Sequence, residues 1–121
     1  MHKKILVVDD QQDMLYMMEK ILSKSGFEVV TNSTGNVMEF LQGDFHPDLI
    51  ILDINLGEKD GGEICHELKM KEATKHIPVI LVSAVMDLLK ISGDCGAEDY
   101  LAKPFRAPQL INKVLSNLEA A

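Results

Sequence analysis

The stretch Leu49–Asn55, with the sequence LIILDIN, decides the fold of this chain. Four apolar residues run directly into the carboxylate of Asp53. Such a short, apolar run predicts a strand that is buried on both faces, as in a parallel sheet. Ligands of open α/β sheets bind outside the carboxyl ends of the strands, so Asp53 is a candidate nucleophile.

Strands and helices are predicted to alternate along the rest of the chain. Short apolar runs predict four further strands, near residues 5–8, 28–31, 77–82 and 100–102. Apolar residues at helical spacing predict helices near 14–22, 37–41, 64–68 and 110–118, and the apolar stretch 85–94 predicts one more, weakened by Ser92-Gly93. Five alternations with short links predict a doubly wound parallel sheet with helices on both faces.

The composition is that of a globular protein. The 121 residues are 46% hydrophobic and 26% charged, and they suffice for one domain with a core. No apolar run approaches the roughly 18 residues of a membrane span, and none resembles a signal peptide, so a cytoplasmic location without membrane contact is expected. The net charge of −7 argues against direct binding to nucleic acid.

The two cysteines, Cys65 and Cys95, are far apart in the sequence and form no C-x-x-C pair. This spacing argues against a disulfide or a zinc site. Both residues are therefore predicted to be packing residues.

Charged and hydroxyl side chains follow the predicted strands. Because parallel strands end at one edge of a sheet, five residues should converge there: Asp9, Asp10, Asp53, Ser83 and Lys103. Three carboxylates repel one another unless a cation joins them, and Mg²⁺ suits such oxygen ligands. Lys103 and the Ser83 hydroxyl could hold phosphoryl oxygens, which predicts an aspartyl phosphate on Asp53.

Five segments carry a resemblance to the response-regulator receiver domain of two-component signalling: ILVVDD (5–10), PDLIILD (47–53), DGGEIC (60–65), IPVILVSA (77–84) and GAEDYLAKPF (96–105). The resemblance covers essentially the whole chain, so residues 1–121 are expected to form one receiver domain without an output domain. It implies a flavodoxin-like, five-stranded parallel sheet of order 2-1-3-4-5 with five helices, the fourth being short or irregular.

The resemblance also implies a role for each site residue. Asp53 would accept a phosphoryl group from a histidine kinase or a histidine phosphotransfer protein. Mg²⁺ (or Mn²⁺) would be held by the side chains of Asp10 and Asp53, by the backbone carbonyl of Asn55, and by Asp9 through water.

Three further residues would respond to the phosphoryl group. Lys103 would pair with the acyl phosphate, with the Lys103–Pro104 bond in the cis form. Ser83 would move to bond the phosphoryl group, and Tyr100 would swing inward behind it. The alternative for Tyr100 is a fixed, half-buried aromatic ring with its hydroxyl in water.

The implied function is a phosphorylation-activated signalling switch. Such a protein is not a turnover enzyme, because it catalyses only its own phosphorylation and dephosphorylation. Phosphorylation would change the surface that binds an output protein, or an output domain absent from this chain, and it could produce a dimer.

The chain departs from the family pattern at three points. Gly57 stands where the family usually has proline, which predicts a more mobile loop. The segment from Ser83 to Lys103 is shorter than usual, which predicts a short fourth helix and an unusual output surface. Val85 cannot orient a water molecule, which predicts that the phosphoryl group persists for minutes or longer.

Three other functions are compatible with a strand-end aspartate on this kind of sheet. A phosphatase of the haloacid-dehalogenase type usually has a second aspartate two residues after the nucleophile, where this chain has Asn55. A flavodoxin-type FMN carrier needs a phosphate-binding loop where this chain has Asp9-Asp10. A receiver-like scaffold that is not phosphorylated has no use for three converging carboxylates.

Overall fold

Seven strands and five helices lie within residues 2–120, the part of the chain that this computed structural model describes. The strands are β1 (Lys4–Val8), β2 (Glu28–Asn32), β3 (Leu49–Asp53), β4 (Asn55–Leu56), β5 (Lys59–Asp60), β6 (Val79–Ser83) and β7 (Asp99–Ala102). The helices are α1 (Gln12–Lys24), α2 (Val37–Phe40), α3 (Gly61–Met70), α4 (Leu88–Cys95) and α5 (Ala107–Ala120).

Five of the strands form one parallel sheet in the order β2-β1-β3-β6-β7. Without the two short strands β4 and β5, this is the predicted order 2-1-3-4-5, so the flavodoxin-like fold is confirmed. β3 lies at the centre of the sheet, and every one of its five residues is buried. The order reverses between β1 and β3, which is where ligands bind in sheets of this type.

The sheet separates two hydrophobic clusters. Ile50 and Leu52 of β3 pack in a cluster with residues of α2, α3 and α4. Leu49 and Ile51 pack in the other cluster, with residues of α1 and α5. Since successive strand residues point to opposite faces, a continuous apolar run is what a strand between two helical layers requires.

Backbone and side-chain hydrogen bonds hold both ends of β3. At its start, the Lys4 amide donates to Asp48 Oδ2 over 2.7 Å, and the Asp48 amide donates to the Lys4 carbonyl over 2.8 Å. Just beyond its end, the Gly61 amide donates to the Ile54 carbonyl over 2.7 Å. The strand that carries Asp53 is therefore attached on both sides of the apolar run.

The fourth helix is short, as the sequence predicts. α4 has eight residues, begins only at Leu88, and is followed by Gly96, whose φ of +83° lies in the left-handed region. Glycine adopts this conformation without steric cost, so it ends the helix. α2 is shorter still, with four residues.

The segment after Asp53 is a hairpin, whereas the sequence predicts a mobile loop over residues 57–62. β4 and β5 pair in antiparallel fashion, Asn55 with Asp60 and Leu56 with Lys59. Gly57 stands first in the two-residue turn with a φ of +66°, as type II′ hairpin turns require. Leu56 is buried in the core, which attaches the hairpin to the body of the protein.

The two cysteines are buried and free, as expected of packing residues. The Cys65 thiol of α3 donates to the carbonyl of Cys95 in α4 over 3.7 Å. Burial raises the pKa of the Cys65 thiol, so this thiol is un-ionised and unreactive at neutral pH. Within residues 2–120, none of the helices is long and apolar enough to cross a membrane.

Candidate functional site

Four strands of the sheet bring polar side chains to one edge. Asp9 directly follows β1, Asp53 ends β3, Ser83 ends β6, and Lys103 directly follows β7. These strands are parallel, so their carboxyl ends lie side by side. The convergence predicted from the sequence is therefore present.

Lys103 lies between two buried carboxylates. Its ammonium donates to Asp9 Oδ2 over 3.1 Å and to Asp53 Oδ2 over 3.3 Å. Asp9 is fully buried and Asp53 is only 5% exposed. The backbone fixes this residue as well, because the Lys103 amide donates to the Ser83 carbonyl over 2.9 Å. The Lys103–Pro104 bond is cis, as expected.

Three carboxylates form an acidic cluster at this edge. Asp9, Asp10 and Asp53 each offer an oxygen, and these oxygens lie within 4.8 Å of one another. Unlike the other two, Asp10 is exposed to solvent. With one ammonium among three carboxylates, the cluster carries two uncompensated negative charges when all are ionised.

Backbone amides orient the two buried carboxylates. The Gln11 amide donates to Asp9 Oδ1 over 2.9 Å, and the Asn55 amide donates to Asp53 Oδ1 over 3.3 Å. Each carboxylate thus has one oxygen bound to the backbone and the other facing Lys103. This leaves the Asp53 side chain with a defined orientation.

The pKa of the Asp53 carboxyl is raised above its ordinary value. The main cause is burial, which disfavours the charged form. The Lys103 ammonium lowers the pKa and the neighbouring Asp9 charge raises it again, so the net shift remains upward. A cation beside Asp53 would favour its ionised form.

The acidic cluster fits a hard divalent cation. All three side chains offer carboxylate oxygens, the ligands that Mg²⁺ prefers, and Asp10 keeps one side of the cluster open to water. The uncompensated charge of the cluster matches the charge of one divalent ion. The side chains of Asp9, Asp10 and Asp53 could thus bind a metal ion.

Ser83 lies at the same edge, but its side chain is hydrogen-bonded within the loop that precedes α4. It is buried, and its Oγ accepts a hydrogen bond from the Val85 amide over 3.3 Å. The hydroxyl proton is the group that Ser83 could donate to a ligand. Val85 itself packs partly buried against the core.

Tyr100 is half-buried on β7, which β6 separates from the strand of Asp53. The ammonium of Lys113 lies 5.5 Å from the centre of its ring, within the range of a cation–π contact. Lys113 also donates to Asp99 Oδ1 over 2.8 Å. Burial alone would raise the pKa of Asp99, but hydrogen bonds from Lys113 and Asn117 lower it below its ordinary value.

Sequence reasoning missed the role of Gly61. A Cβ atom on this residue would lie 2.1 Å from the carbonyl oxygen of Asp53, so only glycine fits there. The preceding Asp60 caps α3, since its side chain accepts from the Gly62 amide over 2.8 Å, as its position before a helix indicates. The sequence signal for the close approach of α3 to the Asp53 backbone is the glycine pair Gly61-Gly62, directly after Asp60.

Comparison with known proteins agrees with this geometry. Residues 5–115 match the family model of the response regulator receiver domain. The match covers most of the chain and includes every residue of the acidic cluster together with Ser83, Tyr100 and Lys103. The chain therefore belongs to the response regulator receiver domain family of two-component systems.

Solved structures of this family are closely similar over nearly the whole chain. The signal receiver domain of a signal transduction histidine kinase from Syntrophus aciditrophicus is 31% identical, with a TM-score of 0.90 over 98% of this chain and 92% of that one. The chemotaxis response regulator CheY4 of Vibrio cholerae is 25% identical, with a TM-score of 0.86 over 96% and 98%. The BeF3-activated receiver domain of DrrB, a Thermotoga maritima protein, is 33% identical, with a TM-score of 0.83 over 98% and 99%.

Proposed function

We propose that this receiver domain is a phosphorylation-controlled switch in which Asp53 is the phosphoacceptor. The donor is a histidine kinase or a histidine phosphotransfer protein, and the reaction depends on Mg²⁺. The observation that carries the proposal is the position of the Lys103 ammonium, within hydrogen-bonding reach of both Asp9 and Asp53 at the carboxyl edge of the sheet. One of the similar structures is a receiver domain in a BeF3-activated state, which is consistent with an acceptor in this family.

The transfer step itself needs little from the protein beyond position and charge. An oxygen of Asp53 attacks the phosphorus atom, the new O–P bond forms, and the P–N bond of the phosphohistidine donor breaks with its electron pair left on the imidazole nitrogen. Lys103 can move its contact from the Asp53 carboxylate to a phosphoryl oxygen without leaving Asp9. Such charge neutralisation is the main requirement of phosphoryl transfer.

Mg²⁺ would be held by the side chains of Asp10 and Asp53, by the backbone carbonyl of Asn55, and by Asp9 through water. When bound, the ion would offset the negative charge that keeps an anionic phosphoryl group away from the carboxylates. Asp9 suits an indirect role because its two oxygens already accept from Gln11 and Lys103. Asp10 suits a direct role because it is exposed at the edge of the cluster.

The geometry of the β4–β5 hairpin supports the role of the Asn55 carbonyl. In antiparallel pairs, hydrogen-bonded and non-hydrogen-bonded residue pairs alternate, and the amide and carbonyl of one residue point to the same side. Ile54 and Gly61 are hydrogen-bonded, so the next pair, Asn55 with Asp60, is not. The Asn55 amide points to Asp53 Oδ1, and its carbonyl is therefore also on the side of the acidic cluster.

Ser83 and Tyr100 would report phosphorylation to the surface. The Ser83 hydroxyl can turn from the Val85 amide to a phosphoryl oxygen, which draws the loop before α4 toward Asp53. Tyr100 would then move inward from its contact with Lys113. The altered surface around α4, β7 and α5 would bind an output protein or an output domain, and a phosphorylation-dependent dimer is one such form. In this proposal, residues 1–121 act in the cytoplasm as one receiver domain.

Small phosphodonors test the proposal without knowledge of the kinase. The protein is incubated with acetyl phosphate or phosphoramidate in the presence of Mg²⁺, and its intact mass is measured. We expect the addition of one phosphoryl group, which Asp53→Asn abolishes and which EDTA prevents. Asp60→Asn is the matched control, because Asp60 lies close in sequence but caps α3, and it should leave the addition intact.

Two results would contradict the proposal. A protein that gains no phosphoryl mass with either donor is not a phosphorylated switch but a scaffold. Steady hydrolysis of p-nitrophenyl phosphate by the wild type, lost in Asp53→Asn, would instead indicate a phosphatase.

A further inference from the structure

A groove separates α3 from α4 on the side of the sheet that lies away from α1 and α5. Its volume is about 490 Å³, and it is open to solvent along its length. Apolar residues form its floor, namely Ile54, Ile91 and Cys95. Because Ile54 directly follows Asp53, one end of the groove lies next to the proposed phosphoacceptor.

Gly62 keeps the groove open where α3 begins. A Cβ atom on this residue would lie 3.3 Å from Ile91 Cγ2 and 3.1 Å from Asp60 Oδ1. Any larger side chain at residue 62 would therefore reach across the groove toward α4. The space in the groove thus depends on the absence of a side chain at residue 62, and it is large enough to receive apolar side chains of a partner.

Acidic residues form the rim of the groove. Four carboxylates line it, those of Asp60, Glu63, Glu67 and Asp94, and neither lysine nor arginine is among the lining residues. In the described part of the chain, Glu67 has an ion-pair partner, Lys71 at 4.0 Å, whereas Asp60, Glu63 and Asp94 have none. The rim therefore carries mostly uncompensated negative charge around an apolar floor.

We propose that this α3–α4 groove docks a basic amphipathic helix of a partner protein. An apolar floor favours a helix with apolar residues at i, i+3, i+4 and i+7, as in other helix-in-groove complexes. Lysine or arginine side chains flanking that apolar stripe complement the carboxylates of the rim. An anionic lipid surface or a nucleic acid does not fit, since both would be repelled by the same carboxylates.

The proposal goes beyond the phosphorylation switch and does not depend on it. The probe is a labelled helical peptide of leucine and lysine, about 15 residues long, with leucine at the spacing given above. Its counterpart has the same leucine pattern with glutamate in the place of lysine. Affinity is measured by fluorescence anisotropy with the unphosphorylated protein, and the binding site is mapped by NMR shifts of backbone amides.

We expect the lysine peptide to bind and the glutamate peptide not to bind. The largest NMR shifts should fall at Ile54, Gly62, Ile91 and Cys95. The double variant Glu63→Lys/Asp94→Lys should weaken binding by about tenfold or more. The double variant Glu28→Lys/Asp44→Lys is the control, because it makes the same change in net charge at exposed residues outside the groove and should leave the affinity nearly unchanged.

A third variant tests the groove itself. Gly62→Leu should weaken binding of the lysine peptide by a similar factor, because it fills the groove without changing any charge. Circular dichroism and the unfolding midpoint show whether the variant is folded. If it is not folded, Ile91→Ala, which removes part of the apolar floor, gives the same comparison.

Several outcomes would overturn the proposal. The first two are a lysine peptide that fails to bind and largest NMR shifts that fall outside the groove. The next two are equally tight binding of the two peptides, and loss of the same factor in affinity for the lysine peptide in the two double variants. Concentration-dependent dimerisation that Glu63→Lys/Asp94→Lys abolishes would assign the groove to a second copy of this chain instead. Because no phosphodonor is used, these outcomes are independent of whether Asp53 is phosphorylated.

Discussion

Gly61 packs directly against the backbone of Asp53, since a Cβ atom on the glycine would lie 2.1 Å from the carbonyl oxygen of Asp53. The same glycine donates its amide to Ile54, the residue after the proposed acceptor. The start of α3 and the end of β3 are therefore in contact at a point where no side chain fits. The position of the acceptor depends on this contact.

Replacing Gly61 by alanine should disturb both stability and phosphorylation. The backbone of Asp53 must shift to admit the methyl group, and overpacking of this kind costs about 1–3 kcal/mol. A misplaced carboxylate should also slow phosphorylation by phosphoramidate by about tenfold or more. Urea unfolding and the rate of mass gain measure the two effects.

Gly93→Ala is the matched control for this variant. Gly93 lies in the middle of α4, and an added Cβ would meet nothing within 4 Å. Alanine should therefore leave the phosphorylation rate unchanged and stabilise the protein by about 0.5–1 kcal/mol. If both alanine variants behaved alike, the close approach of Gly61 to Asp53 would not matter for the acceptor.

Removal of the Lys103 ammonium should destabilise the protein through Asp9. In Lys103→Met the fully buried Asp9 carboxylate loses its ion-pair partner, which should cost about 3 kcal/mol. The double variant Lys103→Met/Asp9→Asn should recover most of that loss, because the buried charge is gone as well. Equal stability of the single and double variants in urea would argue that the two residues are not coupled. Both variants should be slow to accept a phosphoryl group.

Mg²⁺ should stabilise the folded protein by binding to the acidic cluster. At a concentration about 100-fold above the Kd, the expected gain is about 2.7 kcal/mol. Thermal unfolding should show a rise in Tm with MgCl₂ that NaCl of equal ionic strength does not produce. Asp10→Asn should remove most of this rise, whereas Asp44→Asn, at an exposed residue elsewhere, should keep it.

The raised pKa of Asp53 makes stability depend on pH when no metal is present. The folded protein holds the Asp53 proton to a higher pH than the unfolded chain does, so this residue lowers stability as pH rises through the interval between the two pKa values. At neutral pH in EDTA, Asp53→Asn should therefore be more stable than the wild type, by on the order of 1 kcal/mol. The difference should shrink as the pH falls below the folded pKa of Asp53. A constant difference from acid to neutral pH would rule out this explanation.

The phosphoryl group on Asp53 should persist for minutes or longer. Val85, two residues after Ser83, is apolar and packs against the core, so its side chain cannot orient an attacking water. Val85→Gln supplies an amide at this position and should shorten the lifetime several-fold, while Val85→Ala should not. Release of labelled phosphate from the wild type within a few seconds would contradict the prediction.

Much of this architecture could be predicted because the relevant signals are local in sequence. The continuous apolar run before Asp53 indicates a strand between two helical layers, and strands that alternate with helices indicate parallel order. The charged and hydroxyl residues at the predicted strand ends then indicate the residue set around Asp53, and family resemblance supplies the sheet order and the role of each residue. The short fourth helix followed from the same comparison, together with Gly93.

Other features depend on contacts between distant segments, which periodicity does not report. The glycines of residues 57–62 predict only a mobile loop, although a glycine at the first turn position is also a hairpin signal. Nothing local indicates that Lys113 of α5 lies over the ring of Tyr100, or that Cys65 meets the end of α4. The α3–α4 groove likewise results from the way two helices pack, since its lining residues come from separate parts of the chain.

The burial of β3 on both faces also affects strand register. In a strand with one solvent-exposed face, a shift of the register by one residue would expose apolar side chains. The side chains of Leu49–Leu52 would instead contact an apolar layer on either face of the sheet. The hydrophobic pattern alone therefore penalises such a slip only weakly. The hydrogen bonds of Asp48 with Lys4 at one end, and of Ile54 with Gly61 at the other, are what fix the strand lengthwise. These anchors determine that the residue facing Lys103 is an aspartate rather than the leucine or isoleucine beside it.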